Sequence, residues 1–92
     1  MNNPKKKIQD DTDVLDKETN EYQIVIFNDD VNTFQHVIVS LMEICKHELI
    51  QAEQCAHIIH NNGKCTVKTG EYTELEPQCS SLLQRGLSAE IM

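Results

Sequence analysis

Residues 22–34 read Tyr22-Gln23-Ile24-Val25-Ile26-Phe27-Asn28-Asp29-Asp30-Val31-Asn32-Thr33-Phe34, and the way this stretch divides in two decides the fold. Its first half is dominated by β-branched and aromatic residues, the composition of a buried strand. Three short polar residues, Asn28, Asp29 and Asp30, stand directly against that run. Asn and Asp end strands readily because they hydrogen-bond their own backbone and accept turn geometry. A sharper reading has a rigid strand presenting two carboxylates and an amide to something cationic. Taken alone the stretch favours the turn, and the rest of the chain has to supply a reason for the cation.

Downstream, Asn32 or Thr33 is placed to cap a helix. Phe34, Val37, Ile38, Leu41, Met42 and Cys45 then recur at helical spacing as one apolar stripe. Lys46-His47-Glu48 is a polar break, after which a second helix is predicted from about Leu49 to Asn61 with Ala52, Cys55, Ala56 and Ile59 inward. Asn61-Asn62-Gly63 closes it, glycine suiting the left-handed position past a helix end. Lys64 to Thr69 alternates and reads as a strand with one face toward the core. A third helix is predicted over Glu71 to Arg85, with Leu75, Cys79, Leu82 and Leu83 inward. Thr73 as N-cap and Glu76 completing a capping box would put Pro77 in the first turn, where its missing N–H costs no intrahelical bond. A start near Gly70 would instead place Pro77 inside the helix and kink it. Gly86 stops the helix, and Leu87 to Ile91 is a short last strand.

The order β-α-α-β-α-β, with no repeat or linker, predicts one α+β domain over residues 21–92: a small three-stranded, mainly antiparallel sheet packed on helices. Residues 1–20 hold only isolated apolar side chains such as Ile8, Val14 and Leu15, too few to offset ordering entropy. They are predicted to form a disordered tail, basic at Lys5 to Lys7 and acidic from Asp10 to Asp16.

Composition narrows the function. Eight Lys and Arg against fifteen Asp and Glu leave a formal net charge of -7, so polyanions such as nucleic acid and acidic membranes are poor partners. Nothing resembles a signal peptide, and no segment approaches the ~18 apolar residues of a membrane span, so the expected location is cytoplasmic. The four cysteines, Cys45, Cys55, Cys65 and Cys79, form no CxxC pair and are expected to be small buried hydrophobes. There is no nucleophile motif and no phosphate loop, and no cofactor is implied.

His60 lies one helical turn beyond Ala56, beside the inward stripe at the end of the second helix. A lone His there is more often a boundary residue than a ligand. Set together, however, the strand ending VIFNDD, the helix entry VNTFQHVI, the segment QAEQCAHIIHNNGKC and the closing RGLSAEI resemble the ClpS family, adaptors of the Clp ATP-dependent protease that recognise destabilising N-terminal residues. The resemblance covers about residues 21–92. It implies a fold related to the C-terminal domain of the ribosomal stalk protein, and a binding module rather than an enzyme. By the same resemblance the partners are N-degron substrates and a Clp-type AAA+ unfoldase (ClpA-like), whose pore or hinge region the tail would enter.

Residue by residue, it places Asn28, Asp29 and His60 at the free α-amino group of the substrate, Asp30 beside the peptide backbone and the protease contact, and Asn32 at the second peptide residue. Phe34, Val37, Ala56 and Ile59 would wall an apolar pocket for the first side chain. The chemistry is coherent, because a free α-amino group, with a pKa of about 7.7–8.0, is mostly cationic at neutral pH and an internal peptide bond is not. His60 has to be neutral there to accept a bond.

Some positions depart from the family's commoner pattern. Asn32-Thr33 stands where Thr-Pro is frequent, Phe34 and Ala56 where Met is frequent, and Glu76 near a position that is often basic. Three other readings stay open: a stalk-like interaction module without amine recognition; a metal-binding protein using His57 and His60 with Asp29 or Cys65; and an enzyme using a His beside two carboxylates.

Overall fold

The computed structural model describes residues 21–92. The expected tail, residues 1–20, lies outside them. The chain runs β1 (Tyr22–Phe27), α1 (Phe34–Ile44), α2 (Leu49–Asn62), β2 (Lys64–Gly70), α3 (Tyr72–Gln84) and β3 (Ser88–Ile91). This is the expected β-α-α-β-α-β order, and the three-stranded sheet is antiparallel throughout, in the order β2-β1-β3.

The most apolar strand takes the centre. Ile24 and Ile26 are almost fully buried and belong to the main core, while Val25 points to the opposite face and is still only 5% exposed. The edge strands β2 and β3 carry the polar residues between buried Val67 and Ala89. Against β1 the register of β2 slips, since Ile24 pairs with Lys68 and Val25 with Thr66. Val67 is therefore the extra residue of a β-bulge.

The helices follow their stripes. Val37, Ile38, Leu41 and Cys45 bury one side of α1, and Ala52, Ala56 and Ile59 one side of α2. Thr33 is the α1 cap, its side chain accepting the His36 N–H at 3.0 Å. Gly63 ends α2 at φ +95, the left-handed geometry expected of it, with its N–H donated to the Ile59 carbonyl.

Three expectations need correction. α3 begins at Tyr72, so Thr73 is not its cap and Pro77 sits inside the helix. The Glu71 carbonyl instead accepts the N–H groups of Glu74 and Leu75, each at 3.0 Å. Packing overrides the local cap signal here. Tyr72 meets Tyr22 edge-on at 5.5 Å and Leu75 is fully buried, contacts that go with the earlier helix start at Tyr72. Pro77 is tolerated because Thr73, whose carbonyl loses its donor, is exposed to water. Leu83, expected inward, is 52% exposed, and Met42 is only partly buried.

The third correction is His47. It stands in a break that reads as solvated, yet it is 6% exposed, with Nε2 bonded to the carbonyl of the bulge residue Val67 at 2.7 Å. The cysteines divide evenly: Cys45 and Cys79 are buried, Cys55 and Cys65 half-buried, and all four are free thiols. Among the described residues no helix is long and apolar enough to cross a membrane.

Candidate functional site

The end of β1, the entry to α1 and the end of α2 converge because of three short ties. The Asn28 N–H donates to the Gly63 carbonyl at 2.8 Å, which fixes the strand end against the α2 terminus. Asp29 then organises the connecting loop. Its Oδ1 accepts the backbone N–H groups of Val31 and Asn32 at 2.9 and 2.8 Å. Its Oδ2 accepts from Asn32 Nδ2 at 2.8 Å and from Ser88 Oγ, on β3, at 3.3 Å. Asn32 Nδ2 also donates to the Gly86 carbonyl at 2.8 Å, so the loop is tied to the α3–β3 turn as well.

The turn reading of Asp29 is thus realised in full. A carboxylate has about four lone-pair sites, and Asp29 has four donors on its two oxygens. These bonds hold its carboxyl below the ordinary value of 3.8, the Asn32 backbone N–H contributing most and partial burial opposing it. A depressed folded value means that the stabilisation is complete above 3.8 and is lost as pH falls through the lower folded value. A side-chain NMR titration of Asp29 should show a midpoint below 3.8, with the Val31 and Asn32 amide signals moving in step. A midpoint at or above the ordinary value would contradict the bonding described.

Around this loop lies a cavity of about 290 Å³ lined by Asn28, Asp29, Asp30, Asn32, Phe34, Val37, Ala56 and His60. Eight of the nine residues singled out in the sequence therefore share one concavity. The ninth, Ile59, is 4% exposed in the core cluster that also contains Ala56 and Val37, and it does not line the cavity. Polar groups from β1, the loop and α2 combine here with apolar surface from Phe34, Val37 and Ala56. Phe34 is 39% exposed, far more than a core residue. Its ring meets His57 edge-on at 4.8 Å and His60 at 6.5 Å.

His60 occupies the last turn of α2 and is exposed. That helix end carries partial negative charge, as do Asp29 and Asp30, so the cavity favours a cation at its polar end. His57 is engaged with Phe34, and among the described residues no three His, Cys, Asp or Glu side chains are grouped to hold a metal ion. Sequence reading missed the anchoring partners of the loop, Gly86 and Ser88. They lie 54 and 59 residues from the groups they bind, and no local signal marks them.

Comparison with known proteins gives concordant results. A family model described as the ATP-dependent Clp protease adaptor protein ClpS matches residues 17–90. The ATP-dependent Clp protease adapter protein ClpS of Thermosynechococcus vestitus is 31% identical over 81 residues, covering 87% of this chain and 86% of that protein. The structure of Agrobacterium tumefaciens ClpS2 bound to L-phenylalaninamide superimposes with a TM-score of 0.76 at 18% identity, covering 80% of this chain and 96% of the other. At that identity the superposition speaks to the fold.

Proposed function

Since this chain belongs to the ClpS family of ATP-dependent Clp protease adaptor proteins, we propose that it captures proteins by a free N-terminal amine and a bulky apolar first residue, and delivers them to a Clp-type AAA+ unfoldase. It does so as a binding module and catalyses no reaction. The observation that carries this reading is the cavity in which acceptors and carboxylates at one end meet the apolar surface of Phe34, Val37 and Ala56 at the other. The relative from Agrobacterium tumefaciens was solved with L-phenylalaninamide, a free amine on an aromatic residue, and the same ligand chemistry is proposed here.

The division of labour follows from which lone pairs are open. Asp29 is already saturated by its loop, so its part is negative charge close to the ammonium. The Asn28 side-chain carbonyl and a neutral His60 ring accept the ammonium's hydrogen bonds. Asp30 lies beside the peptide backbone, and Asn32, held by Asp29 and Gly86, positions the second residue. The first side chain enters among Phe34, Val37 and Ala56, with Ile59 supporting that wall from the core.

The energies fit a carrier that lets go. Burying a Leu or Phe side chain is worth about 1.5–3 kcal/mol, and a hydrogen bond to a charged group about 1.5–3 kcal/mol. Even with three contacts to the ammonium at the upper value, an association cost of roughly 4 kcal/mol or more leaves capture no tighter than about micromolar.

Fluorescence anisotropy of a labelled peptide beginning with Leu, against the same peptide N-acetylated, tests the reading. Acetylation removes the charge and keeps the leucine, so binding of the free peptide only is expected. Equal binding of both would show that the cavity reads apolar surface alone.

Ala56 sets the breadth of the pocket. It lines the cavity while only 2% exposed, so a longer side chain there must project into the space the ligand uses. Ala56→Met is expected to weaken peptides beginning with β-branched Ile or Val by about tenfold, the factor corresponding to ~1.4 kcal/mol, and those beginning with Leu less. Competition titrations of Ile- and Leu-initiated peptides read this directly, and an unchanged Ile to Leu ratio would refute it.

A further inference from the structure

At the other end of α2 the structure holds a second cavity, of about 360 Å³, which the amine site leaves unused. It is lined by Lys46, His47, Gln51, Thr66, Lys68 and Thr69, among others. In a chain of net charge -7 this is a distinct spot. The described residues contain four Lys and Arg, namely Lys46, Lys64, Lys68 and Arg85, and two of these four line the cavity. Arg85 is paired with Glu43 at 2.6 Å. No Asp or Glu side chain lines the cavity.

Two independent features point to an anion. The 14-residue helix α2 begins there without a side-chain cap and without an acidic residue in its first turn. Its first N–H groups and the positive end of its dipole are left for another acceptor, and Gln51 of that turn lines the cavity. His47, two residues before α2 begins, is the second feature. It lines the same cavity, is 6% exposed, and its Nδ1 has no hydrogen-bond partner among the described residues.

The state of His47 follows from its other nitrogen. A carbonyl only accepts, so Nε2 carries the proton that bonds Val67 at 2.7 Å. Nδ1 then holds a lone pair aimed at the cavity, which the P–O–H of a monoprotonated, doubly charged phosphate meets as a donor. The ammonium groups of Lys46 and Lys68 rest on backbone carbonyls of Glu43 and Cys45 at 3.1 and 3.4 Å, contacts that a stronger acceptor can replace.

We infer that this cavity, between the start of α2 and the bulge of β2, binds a doubly charged oxyanion of the phosphate type. Lys46 and Lys68 supply charge, the first turn of α2 supplies N–H donors, and Thr69 and His47 complete the shell, the Thr66 hydroxyl being donated to Gln23 Oε1 at 2.7 Å. The anion comes either free or as a phosphoryl group on a partner chain.

Titration of the 15N-labelled full chain with inorganic phosphate, at constant ionic strength, tests this. Amide shifts that saturate and centre on Lys46, Gln51, Lys68 and Thr69 are expected, with at least tenfold weaker binding in Lys68→Gln and unchanged binding in Lys64→Gln. A phosphoserine peptide and its serine counterpart separate the sources. Binding of the phosphopeptide at least as tight as that of phosphate assigns a partner chain, and weaker binding assigns the free ion. Non-saturating shifts, equal losses in the two lysine variants, or acetate binding as tightly as phosphate would overturn the inference. The Leu-initiated peptide should bind Lys68→Gln as it binds the wild type, which shows that the variant is folded and separates this site from the amine pocket.

Discussion

Asp29→Ala is expected to weaken capture of a Leu-initiated peptide on the order of 100-fold, or ~2.8 kcal/mol. Two losses combine. The negative charge beside the ammonium disappears, and with it an interaction in the range of charge-assisted bonds, roughly 1.5–3 kcal/mol. The four donors on Asp29 also lose their acceptor, and the loop carrying Asn28 and Asn32 loosens. By analogy with lost helix caps the second effect should cost about 0.5–2 kcal/mol of stability. Asp29→Asn separates the two in part, because an amide oxygen still accepts the Val31 and Asn32 N–H groups while the charge and the acceptor for Asn32 Nδ2 and Ser88 Oγ are gone. This variant should melt between the wild type and alanine and bind about tenfold more weakly than the wild type. Wild-type affinity in Asp29→Asn would mean that loop shape alone matters, and would leave the amine reading without its electrostatic part. Peptide anisotropy and thermal melts on both variants give the answer.

The second large effect is on folding. Leu82 is fully buried on α3, and its carbonyl accepts the N–H groups of Arg85 and Leu87, each at 3.1 Å. Leu82→Ala leaves a cavity in a small core, a change that costs about 2–5 kcal/mol. For a domain of this size each kcal/mol moves the melting midpoint by roughly 4–8 °C, so a fall of at least about 10 °C is expected by calorimetry or circular dichroism. The substitution should also weaken the site from a distance. Gly86, four residues after Leu82, supplies the carbonyl that holds Asn32. Exposed Leu83, beside it in the sequence, is the control: Leu83→Ala should shift the midpoint by little. Equal shifts in the two variants would contradict the burial described.

Periodicity made the architecture legible, because each helix buries one stripe and the central strand one continuous apolar run. Val37, Leu41, Ala52, Ala56, Leu75 and Leu82 all lie where their spacing puts them. The α3 start was not legible, since the contact of Tyr72 with Tyr22 joins residues 50 positions apart and local capping chemistry at Thr73 carries no trace of it. His47 was not legible either. Its neighbours Lys46 and Glu48 are exposed, and its burial depends on the carbonyl of a bulge in a strand 20 residues later. At the candidate site the residues grouped from the sequence, Ile59 excepted, line one cavity, but the sequence could not show that the lone pairs of Asp29 are already taken. Turn former and charged group looked like competing roles for that residue, and the structure lets one carboxylate hold both.

The tied loop also has a kinetic meaning. With Asp29, Asn32, Gly86 and Ser88 already joined, the site as proposed needs no closing motion before a chain end enters it. Encounter is then limited by orientation, at ~10⁶ M⁻¹ s⁻¹ for an ordinary pair. At an affinity no tighter than about micromolar, the residence time would be about one second or less. On the proposed function, a protein of this kind would sample many chain ends and keep none for long, and the commitment to destruction would fall to the machine that receives them.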